Sequence, residues 1–397
     1  METVCSFQVC SARFFYRALL LLLVVSVSAP VFSQAGKKKN RQASILFNTA
    51  SRLYRQKNWQ DAAATFGDFI KRYPKHEDAM ESHFARGYCF NRLEQHEKAV
   101  ADLKAAGAQL PAGPAPRWAG DANFYLGRSL EALAEALPEN SPQRPLHYGE
   151  AAAAYGQSAA LRGAEVKAAG KTSAGSFVAA FTSQGEAHYN ASQYPQAVEV
   201  LGRLLAEPAK YSPVAGYDRG LYFLALSNYQ LDRATEKNGT KPDEQNTLAS
   251  LRALSAPEMK KSDLWDDATY LLARILHRRS EWKLANGRYG ALIDSQAPQA
   301  AESSYYRAVS LFESSTNAGA EASVTLESAA QEFQAFSKKY PKHEFASRAV
   351  YYEGISLFNG GSYSAAALRL GAYSPRQSEK TFKTQALLCW GQALLLQ

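Results

Sequence analysis

HFARGYCFNRLEQHEKAVADLKAAGAQLP, residues 83–111, is the stretch from which the rest of the chain is read. Its apolar residues recur three and four apart, the period of a helix that buries one face. Gly87 lies in the first half, Ala99 follows twelve residues later, Leu103 four after that, and Pro111 closes the run. A small residue on one helix and an alanine on the next allow two helix axes to approach closely. The proline has no N–H and its ring clashes with the preceding turn, so it stops the second helix. The stretch therefore predicts a helical hairpin.

The same offsets recur along the chain. Trp59, Ala62, Phe66 and Pro74 have spacings of three, four and eight, and His96, Ala99, Leu103 and Pro111 repeat them. Tyr148, Ala151 and Tyr155 fit, as do Tyr194, Ala197 and Leu201, then Trp282, Ala285 and Tyr289. Ala329, Phe333 and Pro341 follow, and Tyr363, Ala366 and Leu370 complete the set. Ala50, Gly87, Gly185, Ala273 and Gly354 each stand twelve residues before one of these alanines. Gly127, Ala225 and Ala308 precede their second helices by longer gaps, and Gly391 opens one more unit. One phrase is nearly written twice, KRYPKHEDA at 71–79 and KKYPKHEFA at 338–346. The proline accounts for the break in each copy, and Lys, His and Glu read as a solvated turn.

Large residue, small residue, then aromatic, alanine, large apolar residue and proline at these offsets resembles the tetratricopeptide repeat. The resemblance runs from residue 43 to residue 397, with 83–111 and the stretch from Leu46 to Pro74 as its best units. It implies an all-α fold, an α-α superhelix of about eight helix pairs plus an unfinished ninth. Successive small residues stand 37, 40, 58, 40, 48, 35, 46 and 37 apart, against a family period of about 34. The excess predicts longer linkers near 136–147, 164–176, 232–245 and 314–322. The chain stops inside a first helix whose apolar face has no partner, which reads as a truncation or a self-association contact.

The N-terminus reads as an address. Arg13 and Arg17 precede an apolar run from Ala18 to Phe32, short for a bilayer span and suited to a signal peptide over 1–33. An uncleaved anchor is the alternative. A basic linker over 34–42 follows and carries four of the positive charges behind the net +8; the remainder is nearly balanced, which gives little support to a nucleic-acid partner. Cys5 and Cys10 fall in the address segment, and Cys89 and Cys389 are too far apart in an extended array to form a structural disulfide.

Signatures of chemistry are missing. The seven histidines show no HExxH or other paired metal spacing, and no Walker loop, GxGxxG or GxSxG occurs. No catalytic, cofactor or metal residue is assigned, and the expectation is a non-enzyme with no cofactor.

In tetratricopeptide arrays the first helix of each pair faces the inside of the superhelix. Three residues before the small residue that position holds Phe47, Phe84, Phe124, Thr182, Tyr222, Tyr270, Tyr305, Tyr351 and Leu388. Seven residues later come Tyr54, Asn91, Glu131, Tyr189, Tyr229, His277, Phe312 and Phe358. The resemblance thus implies a stripe of rings, with Phe47, Phe84, Phe124, Tyr189, Tyr222, Tyr229, Tyr270, Tyr305, Phe312, Tyr351 and Phe358 as partner contacts. The same rings could equally pack against the next repeat. They replace the Lys and Asn of repeats that clamp a chaperone's C-terminal carboxylate. Arg128, Arg274, Arg278 and Arg348 lie beside them. The repeats resemble those of exported bacterial envelope proteins, namely the outer-membrane assembly lipoproteins and the Tol-Pal coordinator. No lipidation cysteine supports the first, and no N-terminal heptads support the second. The expectation is an exported scaffold, in the periplasm or cell envelope, holding a protein or peptide ligand along the stripe. Alternatives are a glycan-binding accessory, or the N-terminal piece of a larger protein with catalysis elsewhere.

Overall fold

The computed structural model describes residues 40–108, 115–168, 175–207, 215–315, 322–373 and 380–397. The address segment at 1–33 and linker residues 34–39 lie outside them, and residues 40–42 already belong to the first helix. The described residues contain helices and turns and no strand.

The chain divides into two units, Met1–Gly170 and Lys171–Gln397. In the first, α1 (40–55) pairs with α2 (Trp59–Arg72), α3 (Ala79–Arg92) with α4 (His96–Gly107), and α5 (Trp118–Glu135) with α6 (Arg144–Ala168). In the second, α7 (Gly175–Asn190) pairs with α8 (Tyr194–Ala206), α9 (Tyr217–Lys237) with α10 (Gln245–Leu254), and α11 (Trp265–Arg278) with α12 (Trp282–Asp294). Then α13 (Ala300–Ser314) pairs with α14 (Ala322–Lys339) and α15 (Ala346–Asn359) with α16 (Tyr363–Gly371), while α17 (Lys380–Leu395) packs on α15 and α16. The described residues thus hold eight hairpins and a ninth first helix, as the spacing predicts.

The small residues are sockets. A Cβ on Gly87 would lie 2.8 Å from Leu103, on Gly127 2.7 Å from Tyr155, on Gly185 2.2 Å from Leu201 and on Gly354 2.5 Å from Leu370. Each of these partners stands four residues after the alanine of the second helix, which is itself fully buried: Ala99, Ala151, Ala197 and Ala366 are 0% exposed. Glycine on one side and alanine on the other bring the helices together, and the large side chain between them fills the space at interior density. Helix α10 lacks the alanine and buries Leu248, Leu251 and Leu254 instead.

Five hairpins close through the same three-residue turn. Its central residue is left-handed: Lys57 (φ 60°), Glu94 (58°), Ser192 (60°), Ser280 (62°) and Gly361 (79°). The next N–H reaches back five residues, from Asn58 to Leu53, Gln95 to Phe90, Gln193 to His188, Glu281 to Leu276 and Ser362 to Leu357, at 2.8–3.0 Å. This is the Schellman closure of a helix C-terminus, and it satisfies carbonyls that would otherwise be orphaned. The remaining three pairs carry the insertions, and much of the inserted length is helix. Arg144 and Pro145 belong to α6, which runs through the 164–176 expectation as far as Ala168, and α9 continues to Lys237 before the turn at Gly239. Residues 169–174 and 316–321 lie outside the described set. The 232–245 insertion is tied down at its far end: Glu244, 4% exposed, pairs with Arg278, and with Arg279 at 3.3 Å.

The twice-written phrase builds one object twice, and its histidine is not solvated. His76 packs edge-on against Phe69 (5.4 Å, 83°), and His343 against Phe336 (5.4 Å, 80°). The Nδ1 of His76 accepts the Asp78 N–H at 3.2 Å, and that of His343 accepts the Phe345 N–H at 3.2 Å, just before α3 and α15 begin. The ring covers the end of one hairpin while its nitrogen holds the N–H of the residue that leads into the next, the i to i+2 bond that Asn and Asp make in turns. The Pro, Lys and Glu of each copy are exposed, while both histidines are half-buried.

Candidate functional site: ring tracks along the first helices

Two rows of rings must be separated. The row three residues before the small residue is mostly packing. Phe47 lies 6.0 Å from Phe66 and 5.6 Å from Phe69. Phe84 stacks on Trp118 (5.7 Å, 11°), and Phe124 meets Tyr155 (5.4 Å) with the Arg162 guanidinium 4.7 Å over its face. Tyr305 and Tyr351, expected as partner contacts, are 3% and 2% exposed and belong to the core. Tyr305 is walled in by Phe333, Phe336 and Phe345, and Tyr351 by Tyr373 and Phe382. That part of the expectation is corrected: the position points into the junction between pairs, where a large ring is needed for packing. Burial pushes the hydroxyls of both tyrosines well above the ordinary phenol range.

A second row, four residues after the small residue, is half-buried and meets rings that the sequence reading missed. In the first unit Tyr54 touches Trp59 (5.5 Å) and Tyr88 (5.3 Å), and Tyr88 touches Tyr125 edge-on at 4.6 Å. The Arg92 guanidinium stands 6.0 Å from the Trp59 ring, and Arg128 is exposed next to this track. In the second unit Tyr189 meets Tyr194 (5.5 Å) and Phe223 (5.4 Å), with Tyr222 beside Phe223 at 5.9 Å. Tyr229 carries the Arg278 guanidinium at 6.0 Å. Phe312 meets Tyr352 at 5.4 Å, and Phe358 meets Tyr363 at 5.7 Å. The missed residues are Tyr88, Tyr125, Phe223, Tyr306 and Tyr352. Four of them stand two places before their small residue, an offset with no glycine partner to announce it.

The densest part of the second-unit track lies on α11–α13. His277 is ringed by Trp282 (4.9 Å), Tyr306 (5.9 Å) and Tyr289 (6.3 Å). Burial, with the Arg274 charge nearby, lowers its pKa to about 4, so the imidazole is neutral at pH 7. The Ser310 hydroxyl donates to the Tyr306 carbonyl at 2.9 Å, so the 2.9 Å contact to His277 is made by the imidazole Nδ1–H. Nε2 is then an acceptor. Tyr270 donates to Glu302 and accepts from Arg274 Nη1 at 3.1 Å, and the Arg274 guanidinium lies 4.3 Å over the Tyr306 ring. Burial and the Glu302 bond push the Tyr270 hydroxyl up to about 12.

Between the helices of a pair, buried charges are matched. Asp102 takes Arg86 at 2.6 and 2.7 Å and His83 at 2.9 Å. Burial alone would raise its pKa, but these bonds outweigh it and hold the carboxyl below its usual range. Glu353 takes Arg369 at 2.5 Å and Gln334 at 3.1 Å. Cys89 is buried, its thiol pushed up to about 12 by burial, so it is an inert core residue. Among the described residues no group of three or more His, Cys, Asp or Glu is placed to hold a metal ion, and no helix is long and apolar enough to cross a membrane.

The sequence model of the family described as tetratricopeptide repeat matches residues 47–114. Over those residues the chain matches the tetratricopeptide repeat. The match covers α2, α3 and α4 with most of α1, and the other hairpins share their socket geometry. The chain is also similar to solved structures. One is the C-terminal part of a TPR repeat-containing protein from Cytophaga hutchinsonii, 15% identical over 76% of this chain and 98% of that one, TM-score 0.45. Another is the apo quorum sensor NprR of B. thuringiensis, 13% identical over 95% and 97%, TM-score 0.36. A third is the TPR2AB domain of yeast Sti1 in its complex with pHSP90, 14% identical over 89% and 99%, TM-score 0.27. No curated protein matches the chain.

Proposed function

We propose that the protein is a non-catalytic scaffold that holds an extended segment of a protein partner along the ring tracks of its first helices. The observation carrying this reading is the division between the two rows of rings. Tyr305 and Tyr351 of the first row are closed off in the core, whereas the rings from Tyr54 through Tyr88 to Tyr125 form one continuous half-buried run that packs on the core on one side and keeps part of its surface open. Tyrosine and tryptophan offer a large apolar face with a hydrogen-bonding tip at low conformational cost, as recognition surfaces require. Tetratricopeptide folds are typical of protein–protein interaction, which agrees with the reading. We further propose export, on the Arg13, Arg17 and Ala18–Phe32 pattern, with the cell envelope as the setting.

The test is an array of acetylated and amidated dodecapeptides probed alongside cell-wall sacculi, with the wild-type protein and with Tyr88→Ala and Tyr306→Ala. Retention on peptides that at least one of the two substitutions weakens is the expected result. Retention on sacculi alone, lost in the same variants, would replace the peptide reading with the glycan one. The mass of the protein from its native envelope tests export: loss of the first 33 residues is expected, and an intact N-terminus would refute cleavage.

A further inference from the structure

Four first-helix glycines, Gly87, Gly127, Gly185 and Gly354, are filled sockets, where an added Cβ would lie 2.2–2.8 Å from a large side chain. Gly391, at the same position of α17, meets nothing within 4 Å. Its helix buries Ala386 and Ala393 (3% and 0% exposed) against α15 and α16. At 3.6 residues per turn, Gly391 lies on the opposite side of α17 from these two alanines. Around it stand Leu387, Leu388, Leu394 and Leu395, exposed by 54, 60, 51 and 87%. Six of the eleven large apolar side chains exposed among the described residues lie between Leu387 and Leu396, and apolar surface gathered in one place marks a contact.

The spacing says what covers it. Leucines stand three and four residues before Gly391, and again three and four after it. The pattern reads the same in both directions along the helix. An antiparallel copy of α17 crossing at Gly391 therefore sets the Leu388 of each chain against the Leu394 of the other, and Leu387 against Leu395. An isologous two-fold contact requires this self-complementarity. Glycine at the crossing lets the two axes approach closely, as it does inside each hairpin. Charge selects the same arrangement. α17 contains no acidic residue, and Lys383 is exposed near its start. Antiparallel packing brings that charge towards the negative end of the facing helix, whereas parallel packing would set lysine beside lysine.

We infer that α17 is a dimer contact, on which a second copy of this chain packs antiparallel across Gly391 and buries the four leucines. The contact uses none of the track rings, so it stands or falls independently of the peptide reading.

One helix pair buries less than a standard interface and should give micromolar affinity, so sedimentation equilibrium of the full-length protein is run from about 1 to about 100 µM. A monomer–dimer equilibrium is expected. Gly391→Glu and Gly391→Lys should each weaken dimerisation at least about tenfold, because like charges then meet at the crossing. Neither should lower the Tm of the monomer, where a side chain at this position has open space. Mixing the two variants should restore a one-to-one dimer, which happens only where position 391 meets itself. In a Cys389→Ser background, a Leu388→Cys protein should form a disulfide with a Leu394→Cys protein faster than with itself. A wild type that stays monomeric at the highest concentration would overturn the inference. So would a Gly391→Glu protein as dimeric as the wild type, a mixture without recovery, or a Leu388→Cys protein that prefers itself. Protein from its native source that cross-links through α17 to a different polypeptide, in place of a second copy, would overturn it as well.

Discussion

Residues 59–103 and 326–370 are the same construction at an offset of 267 residues, from Pro74 to Pro341 and from Gly87 to Gly354. The frame is repeated part for part. Phe66 and Phe333 are 1% and 0% exposed, Ala99 and Ala366 are both 0%, and the two histidines hold the N–H two residues on with the same 3.2 Å bond. The open face is not repeated. Tyr88 of the first track corresponds to Ile355, and Phe358 and Tyr352 of the other correspond to Asn91 and Ala85. Between the helices the ion pair is even reversed, Arg86 with Asp102 in one copy and Glu353 with Arg369 in the other. What the duplicated regions share is what closes a hairpin and starts the next; what they do not share is what a ligand would touch. This places the twin phrase with architecture and agrees with the proposal that the ring tracks serve recognition.

The reversed ion pair offers the largest effect. Arg86→Glu leaves the buried Asp102 facing a like charge, and the cost should be about 2–3 kcal/mol, reduced from the fully buried case because Arg86 is partly exposed. The double variant Arg86→Glu/Asp102→Arg copies the other region and should recover most of that loss in urea unfolding. A double variant no more stable than the single one would break the equivalence of the two sites.

Next is a pH effect that only the second unit should show. The first-pair counterpart of His277, four residues after the small residue, is Tyr54, which does not titrate near neutrality. His277 is neutral in the folded protein down to about pH 4 but gains a proton near pH 6.5 when unfolded. The unfolded state therefore binds more protons in this window. Stability contributed by the neutral imidazole is complete above pH 6.5 and lost as the pH falls toward 4. After allowance for its partial exposure the change is on the order of 1–2 kcal/mol. His277→Gln should flatten this slope, as read by thermal unfolding between pH 4 and 7; an unchanged slope would contradict the assignment.

The turn histidines come third. His76→Ala and His343→Ala should each cost about 1 kcal/mol or slightly more, from the lost turn bond and ring contact. His→Asn at either site should recover the bond alone. If the two alanine variants differ widely, the phrase does not do the same work twice. Smallest is the hairpin turn, where Glu94 and Gly361 occupy the same left-handed position. Glu94→Gly should stabilise and Gly361→Ala should destabilise, each by roughly 0.5–1 kcal/mol. The same sign for both would mean that the two turns are not equivalent.

The sequence states the sockets directly, because a glycine and an alanine twelve residues apart have no other common use. From Gly87 and Ala99 the eight hairpins and the lone final helix follow. The track is harder to read for a physical reason. A ring on a first helix can turn into the junction or along the open face, and the offset alone does not say which: Tyr305 is core while Tyr306, its neighbour, is track. Arg274 was visible as a charge near the stripe, but its place 4.3 Å over the Tyr306 ring was not. Tyr289 reads in the sequence only as the large residue that fills the socket of Ala273. The histidine of the repeated phrase misled in the opposite sense: a polar residue after a helix-ending proline suggests water, and the structure gives it a phenylalanine and a backbone N–H.

The claim that the ring track is the binding surface is tested most directly by one paired titration. A retained array peptide is titrated into the wild type, Tyr88→Ala and Tyr306→Ala, with Tm recorded for each protein. The account predicts an affinity loss of about tenfold or more in at least one variant, at a Tm within a few degrees of the wild type. Unchanged affinity in both, or losses that follow a collapse in Tm, would show that these rings serve the fold alone.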